Sequence, residues 1–132
     1  MTGRPISILL VEDDELVMEC IVAFLEDEGF RVTTASTGEE GLAILRRETF
    51  HLCITDMRLK GMDGEAFILE AHRLSPPLRF LIHTGGGYTI SDPLREIGMT
   101  PDHILRKPLL ELSLLSRAIR SLASESNHGT AQ

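Results

Sequence analysis

Four places in this 132-residue sequence carry side chains suited to one chemistry: the acids Glu12 and Asp13, then Asp56, Thr84 and Lys107. Each follows a short, strongly apolar run: ISILLV over residues 6–11, HLCIT over 51–55, RFLIH over 79–83 and HILR over 103–106. Runs of that length and character read as buried parallel strands. The polar residues therefore fall at strand carboxyl ends, the edge where an open α/β sheet binds ligands. Three acids, a hydroxyl and an ammonium gathered there suit a divalent cation and a phosphoryl group.

Between the strands lie segments of helical period, the alternation of an α/β fold with a parallel sheet. After the first strand, Leu16, Cys20, Phe24 and Leu25 mark a helix face, with Val17 and Ile21 beside it, and Gly29 ends the helix in the left-handed region. A second strand covers residues 30–34. Thr37 and Glu40 form a capping-box pattern before Leu42, Ala43 and Leu45. Beyond Asp56, Gly61 and Gly64 flank a loop, and Asp63 caps a helix over residues 64–74 that Ser75-Pro76-Pro77 breaks. Thr84 opens a glycine run, Gly85 to Gly87. Ser91-Asp92-Pro93 starts a short fourth helix that Gly98 ends. A last helix is expected over residues 109–124, with Leu112, Leu115, Ala118, Ile119 and Leu122 at helical spacing. This gives one domain over residues 1–124 and a disordered polar tail over 125–132.

The bulk numbers fit that picture. Hydrophobic residues make up 42% and charged residues 25% of the chain, ordinary for a globular domain. A formal net charge of -7 argues against direct DNA binding. The apolar runs are of strand length, so no membrane insertion is expected, and no leader peptide is read at the N-terminus. Cys20 and Cys53 lie in apolar segments without metal-ligand spacing and read as reduced core residues of a cytoplasmic protein.

Taken singly, each candidate has a structural explanation. Glu12, Asp13 and Asp14 favour the positive end of a helix. Asp56 can cap a loop, Thr84 is a good strand former, and Lys107 precedes a proline that can open a helix. Jointly these explanations weaken. Carboxylates ending neighbouring strands repel one another unless a cation relieves them, and Mg²⁺ is held by one or two carboxylates with waters and phosphate oxygens.

The ordered set Ile8-Leu-Leu-Val-Glu-Asp-Asp14, Thr55-Asp56, Gly61-Met-Asp-Gly64, Thr84-Gly85, Gly98 and Lys107-Pro108 resembles the receiver domain of two-component response regulators, and does so over nearly the whole chain. The resemblance implies an α/β flavodoxin-like (βα)5 doubly wound fold, a five-stranded parallel sheet in the order 2-1-3-4-5. It implies that Asp56 is the phosphoacceptor. Glu12 and Asp13 would hold Mg²⁺, or Mn²⁺ in its place, together with Asp56 and the backbone carbonyl of Arg58. Thr84 would bond a phosphoryl oxygen and Lys107 would pair with the acyl phosphate, with a cis bond to Pro108. The phosphoryl donor would be a histidine kinase or a histidine phosphotransfer protein, and the signal would pass to a downstream protein target. On this reading the chain is a signalling receiver that catalyses its own phosphorylation and dephosphorylation, not a conventional enzyme.

The sequence departs from the family pattern in places. Most receivers carry an aromatic residue three places before the site lysine, where this chain has Ile104. Tyr88, four residues after Thr84, is a candidate substitute, and the glycine run suggests a loop that phosphorylation orders. Lys60 stands where a proline is frequent. Arg58 and Gly86, two places after Asp56 and Thr84, occupy positions that influence how water reaches the acyl phosphate. Arg58 could shield that bond or interact with Glu12 or Asp14. His83 reads as a strand residue, and the other histidines lack ligand spacing. Two rival functions stay open: a phosphate-independent interaction module with the same fold, and a phosphatase with an aspartyl intermediate. The latter is disfavoured because Asp56 has no acid among its next neighbours.

Overall fold

The computed structural model describes residues 5–86, 88–107 and 111–131, with backbone alone for 125–131. Five strands, β1 (Ser7–Val11), β2 (Arg31–Ala35), β3 (Leu52–Thr55), β4 (Arg79–Thr84) and β5 (Ile104–Arg106), alternate with α1 (Glu15–Asp27), α2 (Gly38–Leu45), α3 (Gly64–Leu74), α4 (Asp92–Glu96) and α5 (Leu112–Ala131). All strand pairs are parallel, and the order is β2-β1-β3-β4-β5. This is the flavodoxin-like arrangement expected from the sequence.

The alternation of strand side chains builds two cores, one on each face of the sheet. Ile8 and Leu10 of β1, Ile54 of β3 and Leu81 of β4 pack with Ile21, Leu25, Leu115 and Ile119 of α1 and α5. Leu9 and Val11, Cys53, Phe80 and Ile82 pack on the other side with Leu42, Phe67, Ile68 and Leu94 of α2, α3 and α4. Every residue of the central strand β3 is buried, which accounts for its unbroken apolar run.

The helices begin on the caps that the sequence supplies. Asp14 accepts from the Leu16 and Val17 N–H groups, Thr37 from Glu40, Asp63 from Ala66 and Ser91 from Leu94. Glu40 reaches back one residue further than a capping box requires and accepts from the Ser36 N–H at 2.8 Å. Gly29 and Gly98 close α1 and α4 with φ of 94° and 99°, the left-handed conformation that glycine adopts without strain.

Two expectations need correction. The inward stripe of α1 is Val17, Ile21 and Leu25, whereas Leu16 is 78% exposed and Cys20 is exposed, so only Cys53 is a core cysteine. Packing against Ile8, Leu10 and Ile54 of the sheet selects that stripe. Ala43 is exposed and Ile44 takes the buried place in α2. The last helix spans Leu112–Ala131.

Candidate functional site

The crossing from β2 to β3 reverses direction across β1, so the carboxyl ends of β1 and β3 form the switch-point crevice. Register decides what stands in it. Val11 pairs with Thr55, which sets Glu12 and Asp56, the next residues on each strand, side by side. The ladder continues through these residues: the Asp56 N–H donates to the Val11 carbonyl at 3.3 Å and the Glu12 N–H to Ala35 at 3.0 Å. The Lys107 N–H donates to the Thr84 carbonyl at 2.9 Å, so the lysine is carried one step beyond β5. These side chains are thereby fixed by sheet backbone.

The ammonium of Lys107 lies 2.8 Å from Asp56 Oδ2 and 3.2 Å from Glu12 Oε1. Asp56 Oδ1 accepts from the Arg58 N–H at 3.2 Å, and Glu12 Oε2 accepts from the Asp14 N–H at 3.2 Å. Of the three consecutive acids, only Asp14 caps the helix; Glu12 is buried at 1% exposure and Asp13 is half-buried. The capping role thus falls to Asp14 alone, while Asp56 caps its loop with one oxygen and meets Lys107 with the other.

Burial pushes the Glu12 carboxyl above its ordinary range, and the Asp56 charge adds to that; the Asp14 N–H and Lys107 oppose it without cancelling it. For Asp56 burial acts upward too, but the Lys107 hydrogen bond, the Arg58 N–H and the Lys107 charge outweigh it and hold the carboxyl below its usual value. Burial would lower the Lys107 pKa, yet Asp56 and Glu12 raise it. Asp56 is thus an ionised carboxylate at neutral pH beside a protonated lysine.

Carboxylate oxygens of Glu12, Asp13 and Asp56 lie within 4.8 Å of one another. Three hard oxygen donors, one of them half-exposed and served by a single lysine, suit a small divalent cation such as Mg²⁺. This is the one group of three or more metal-capable side chains among the described residues.

The loops around Asp56 are shaped by close backbone approach. A Cβ on Gly64 would lie 2.5 Å from the Met57 Cα and 2.8 Å from the Asp56 carbonyl oxygen, so only glycine lets α3 start this close to the site. At Gly85 a Cβ would meet nothing nearer than the Lys107 Cβ at 3.9 Å, so there is room beside Thr84. The buried Thr84 hydroxyl donates to the Gly85 carbonyl over a long 3.3 Å. The Arg58 guanidinium sits by Gly86, where a Cβ would be 3.8 Å from Nη2. That places it toward the β4–α4 loop. Arg58, Thr84, Gly85 and Tyr88 line a cavity of about 690 Å³ there, and the Tyr88 ring packs against the α3–α4 core together with Ile104.

A model of the response regulator receiver domain matches residues 8–120. The chain belongs to the response regulator receiver domain family. Over 109 residues the receiver is 34% identical to the transcriptional regulatory protein GlrR of Escherichia coli, covering 83% of this chain and 24% of that protein. It is 30% identical over 110 residues to the cell cycle response regulator CtrA of Brucella ovis, covering 83% of this chain and 47% of CtrA. The receiver thus spans about a quarter of one of these curated relatives and about half of the other. In structure it resembles a CheY-like receiver domain protein of Methanospirillum hungatei with a TM-score of 0.81 and 27% identity, covering 95% of this chain and 98% of the other. The acid cluster corresponds in kind to the Mg²⁺ site of receivers. No helix among the described residues is long and apolar enough to cross a membrane.

The structure brings Glu12, Asp13, Asp56 and Lys107 together and sets Thr84 and Arg58 on the adjacent cavity wall. Pro108 and Gly87, and with them the expected cis bond and the full glycine run, lie outside the described residues. His83 is a buried strand residue, as expected, and two other histidines serve structure: His51 Nδ1 accepts from the Ser7 N–H at 3.0 Å, and His103 Nδ1 from Thr100 at 2.8 Å. Sequence reading missed Arg106, whose guanidinium donates to the Gly86 carbonyl at 2.6 Å and ties the β4–α4 loop to β5. An arginine closing an apolar run, next to the site lysine, was the available signal.

Proposed function

We propose that this receiver takes a phosphoryl group onto Asp56 from a phosphohistidine of a histidine kinase or histidine phosphotransfer protein. The observation that carries this reading is the Asp56 carboxylate held ionised by Lys107, with Glu12 and Asp13 close enough to share a cation. An Asp56 carboxylate oxygen forms the new O–P bond as the N–P bond of the donor breaks, and the imidazole leaves with the electron pair and takes up a proton. Glu12, Asp13, Asp56 and the Arg58 carbonyl would hold Mg²⁺, or Mn²⁺ in its place. Bound there, the cation would neutralise charge on the phosphoryl oxygens. Lys107 balances the charge of the acyl phosphate, and the Thr84 hydroxyl exchanges its weak bond to Gly85 for a phosphoryl oxygen.

The consequence is a change in the segment after Thr84. With Ile104 in the place of the usual aromatic, the phosphoryl group acts on the Gly85–Gly86 backbone, which Arg106 pins and Tyr88 anchors. The altered face of α4, β5 and α5 then meets a downstream protein, in the cytoplasm. The chain acts as a self-modifying switch and does not turn over a substrate pool. Any transcriptional output of the kind the name of GlrR gives would come from segments outside this receiver.

Intact-protein mass spectrometry after incubation with acetyl phosphate and Mg²⁺ tests the reading. One phosphoryl adduct is expected, absent in Asp56→Asn and absent with chelator. Absence of adduct in the native protein, together with no response to a stable beryllofluoride mimic, would favour the phosphate-independent module.

A further inference from the structure

At the end of β4 three consecutive backbone carbonyls are each held by a different donor. The Thr84 carbonyl accepts from the Lys107 N–H at 2.9 Å, the Gly85 carbonyl from the Thr84 hydroxyl at 3.3 Å and the Gly86 carbonyl from the Arg106 guanidinium at 2.6 Å. Two of these donors are adjacent residues at the end of β5, one acting through its backbone and the other through its side chain. Thr84 and Arg106 are register partners, so the guanidinium reaches two residues along the neighbouring chain.

The three bonds are not equivalent. The Thr84–Lys107 bond continues the β4–β5 ladder. The Thr84 hydroxyl bond is long, and that hydroxyl is shared, since it also helps to hold Asp56 ionised. The Arg106 bond is short and has a charged donor, which makes it stronger than a neutral pair. It fixes the carbonyl of Gly86, a residue whose φ of 76° lies in the left-handed region.

A phosphoryl group on Asp56 takes the Thr84 hydroxyl and leaves the Gly85 carbonyl without its donor. That peptide then turns to find another partner, but it is confined between two held neighbours. The Thr84 end is part of the sheet. The Gly86 end hangs on one exposed side chain of a three-residue edge strand, so it is the end that yields. We propose, on the reading that Asp56 is the phosphoacceptor, that Arg106 is a positioning residue that acts on Thr84 through Gly86. Its hydrogen bond is a latch on the resting state, and the latch opens when Thr84 commits to the phosphoryl group. A bond made in one state alone biases the equilibrium toward that state, so Arg106 opposes activation and its release carries the change to β5.

The test is to titrate beryllofluoride with Mg²⁺ into native protein and Arg106→Ala, following the Thr84 and Gly85 amide signals by NMR. Arg106→Ala should bind the mimic about three- to tenfold more tightly, the value of one hydrogen bond. Loss of a cation near the site would by itself weaken an anion, so tightening cannot come from charge. Before any mimic is added, the same two signals in Arg106→Ala should lie part of the way toward their positions in the bound native protein. Arg106→Lys, which keeps the charge and a donor, should fall closer to native on both counts. Equal or weaker binding in Arg106→Ala overturns the latch and leaves the role of Asp56 in place. Absence of binding in native protein would overturn both.

Discussion

Lys107 Nζ lies 2.8 Å from Asp56 Oδ2 although 51 residues separate them in sequence. The contact is made by strand ends: Asp56 is one residue past β3 and Lys107 one residue past β5, with β4 between them. Because the ammonium also reaches Glu12, one cation serves two buried acids on neighbouring strands.

Removing that cation has two opposed effects. In Lys107→Ala the acids lose the counter-charge that now touches both, and the metal-free fold should weaken by about 1–3 kcal/mol in urea denaturation. The same change deepens the negative potential, so Mg²⁺ should bind more tightly than in native protein. Weaker Mg²⁺ binding by titration calorimetry would show that Lys107 helps to shape the cation site.

Mg²⁺ should itself stabilise the fold. At a concentration about a hundredfold above Kd, linkage gives about 2.7 kcal/mol. Asp13 is the acid to remove, since it is half-buried and outside the Lys107 pair. In Asp13→Asn the metal-free melting temperature should hold or rise while the Mg²⁺ increment is largely lost. Thermal denaturation with and without Mg²⁺ measures both.

The acids at the site should act on stability in opposite directions as pH falls. Glu12 has its pKa raised in the fold above 4.5, so the folded state binds its proton first and stability from this group increases as pH drops toward that value. Asp56 has its pKa lowered below 3.8, so its contribution is full above that value and is lost on further acidification through the folded pKa. Glu12→Gln should remove the first limb of a metal-free stability profile and leave the second, as read by denaturation across the acid range with chelator present.

The glycines flanking the site should separate fold from room. Gly64→Ala drives a methyl into the Met57 and Asp56 backbone. Overpacking of that kind should cost about 1–3 kcal/mol of stability. Gly85→Ala meets only ordinary contact. Its stability should stay within about 0.5 kcal/mol of native, as for a surface substitution. Chemical denaturation of the two variants makes the comparison.

Arg106 should hold the β4–α4 loop. Arg106→Ala removes the hydrogen bond to the Gly86 carbonyl, and amide exchange over residues 85–97 should rise. In native protein a beryllofluoride mimic should change exchange over the same residues. Unchanged exchange with the mimic would remove the loop from the proposed switch.

The parallel sheet and the identity of the clustered side chains were legible because strand-length apolar runs are each followed by a polar residue, while the strand order came only from the resemblance to the receiver family. Caps at Asp63 and Ser91 were equally direct, since a single side chain decides where a helix starts. The face of α1 was not. Leu16, Cys20 and Leu25 have helical spacing, but packing on the sheet turns Val17, Ile21 and Leu25 inward. Electrostatics within Glu12-Asp13-Asp14 were also beyond the sequence. Three adjacent acids become one buried lysine partner, one half-buried acid and one helix cap, and only the bend of backbone after β1 assigns them. The grip of Arg106 on Gly86 depends on side-chain reach across two strands, which no local pattern records.

The central claim is that Asp56 is the phosphoacceptor. Borohydride reduction of acetyl phosphate-treated protein, followed by peptide mass spectrometry, tests it most directly, because an aspartyl phosphate is reduced to homoserine at the modified position. We expect homoserine at position 56 and at no other carboxylate, dependent on Mg²⁺. Homoserine at another acid, or a phosphoryl group retained on a hydroxyl or imidazole with Asp56 intact, would contradict the account.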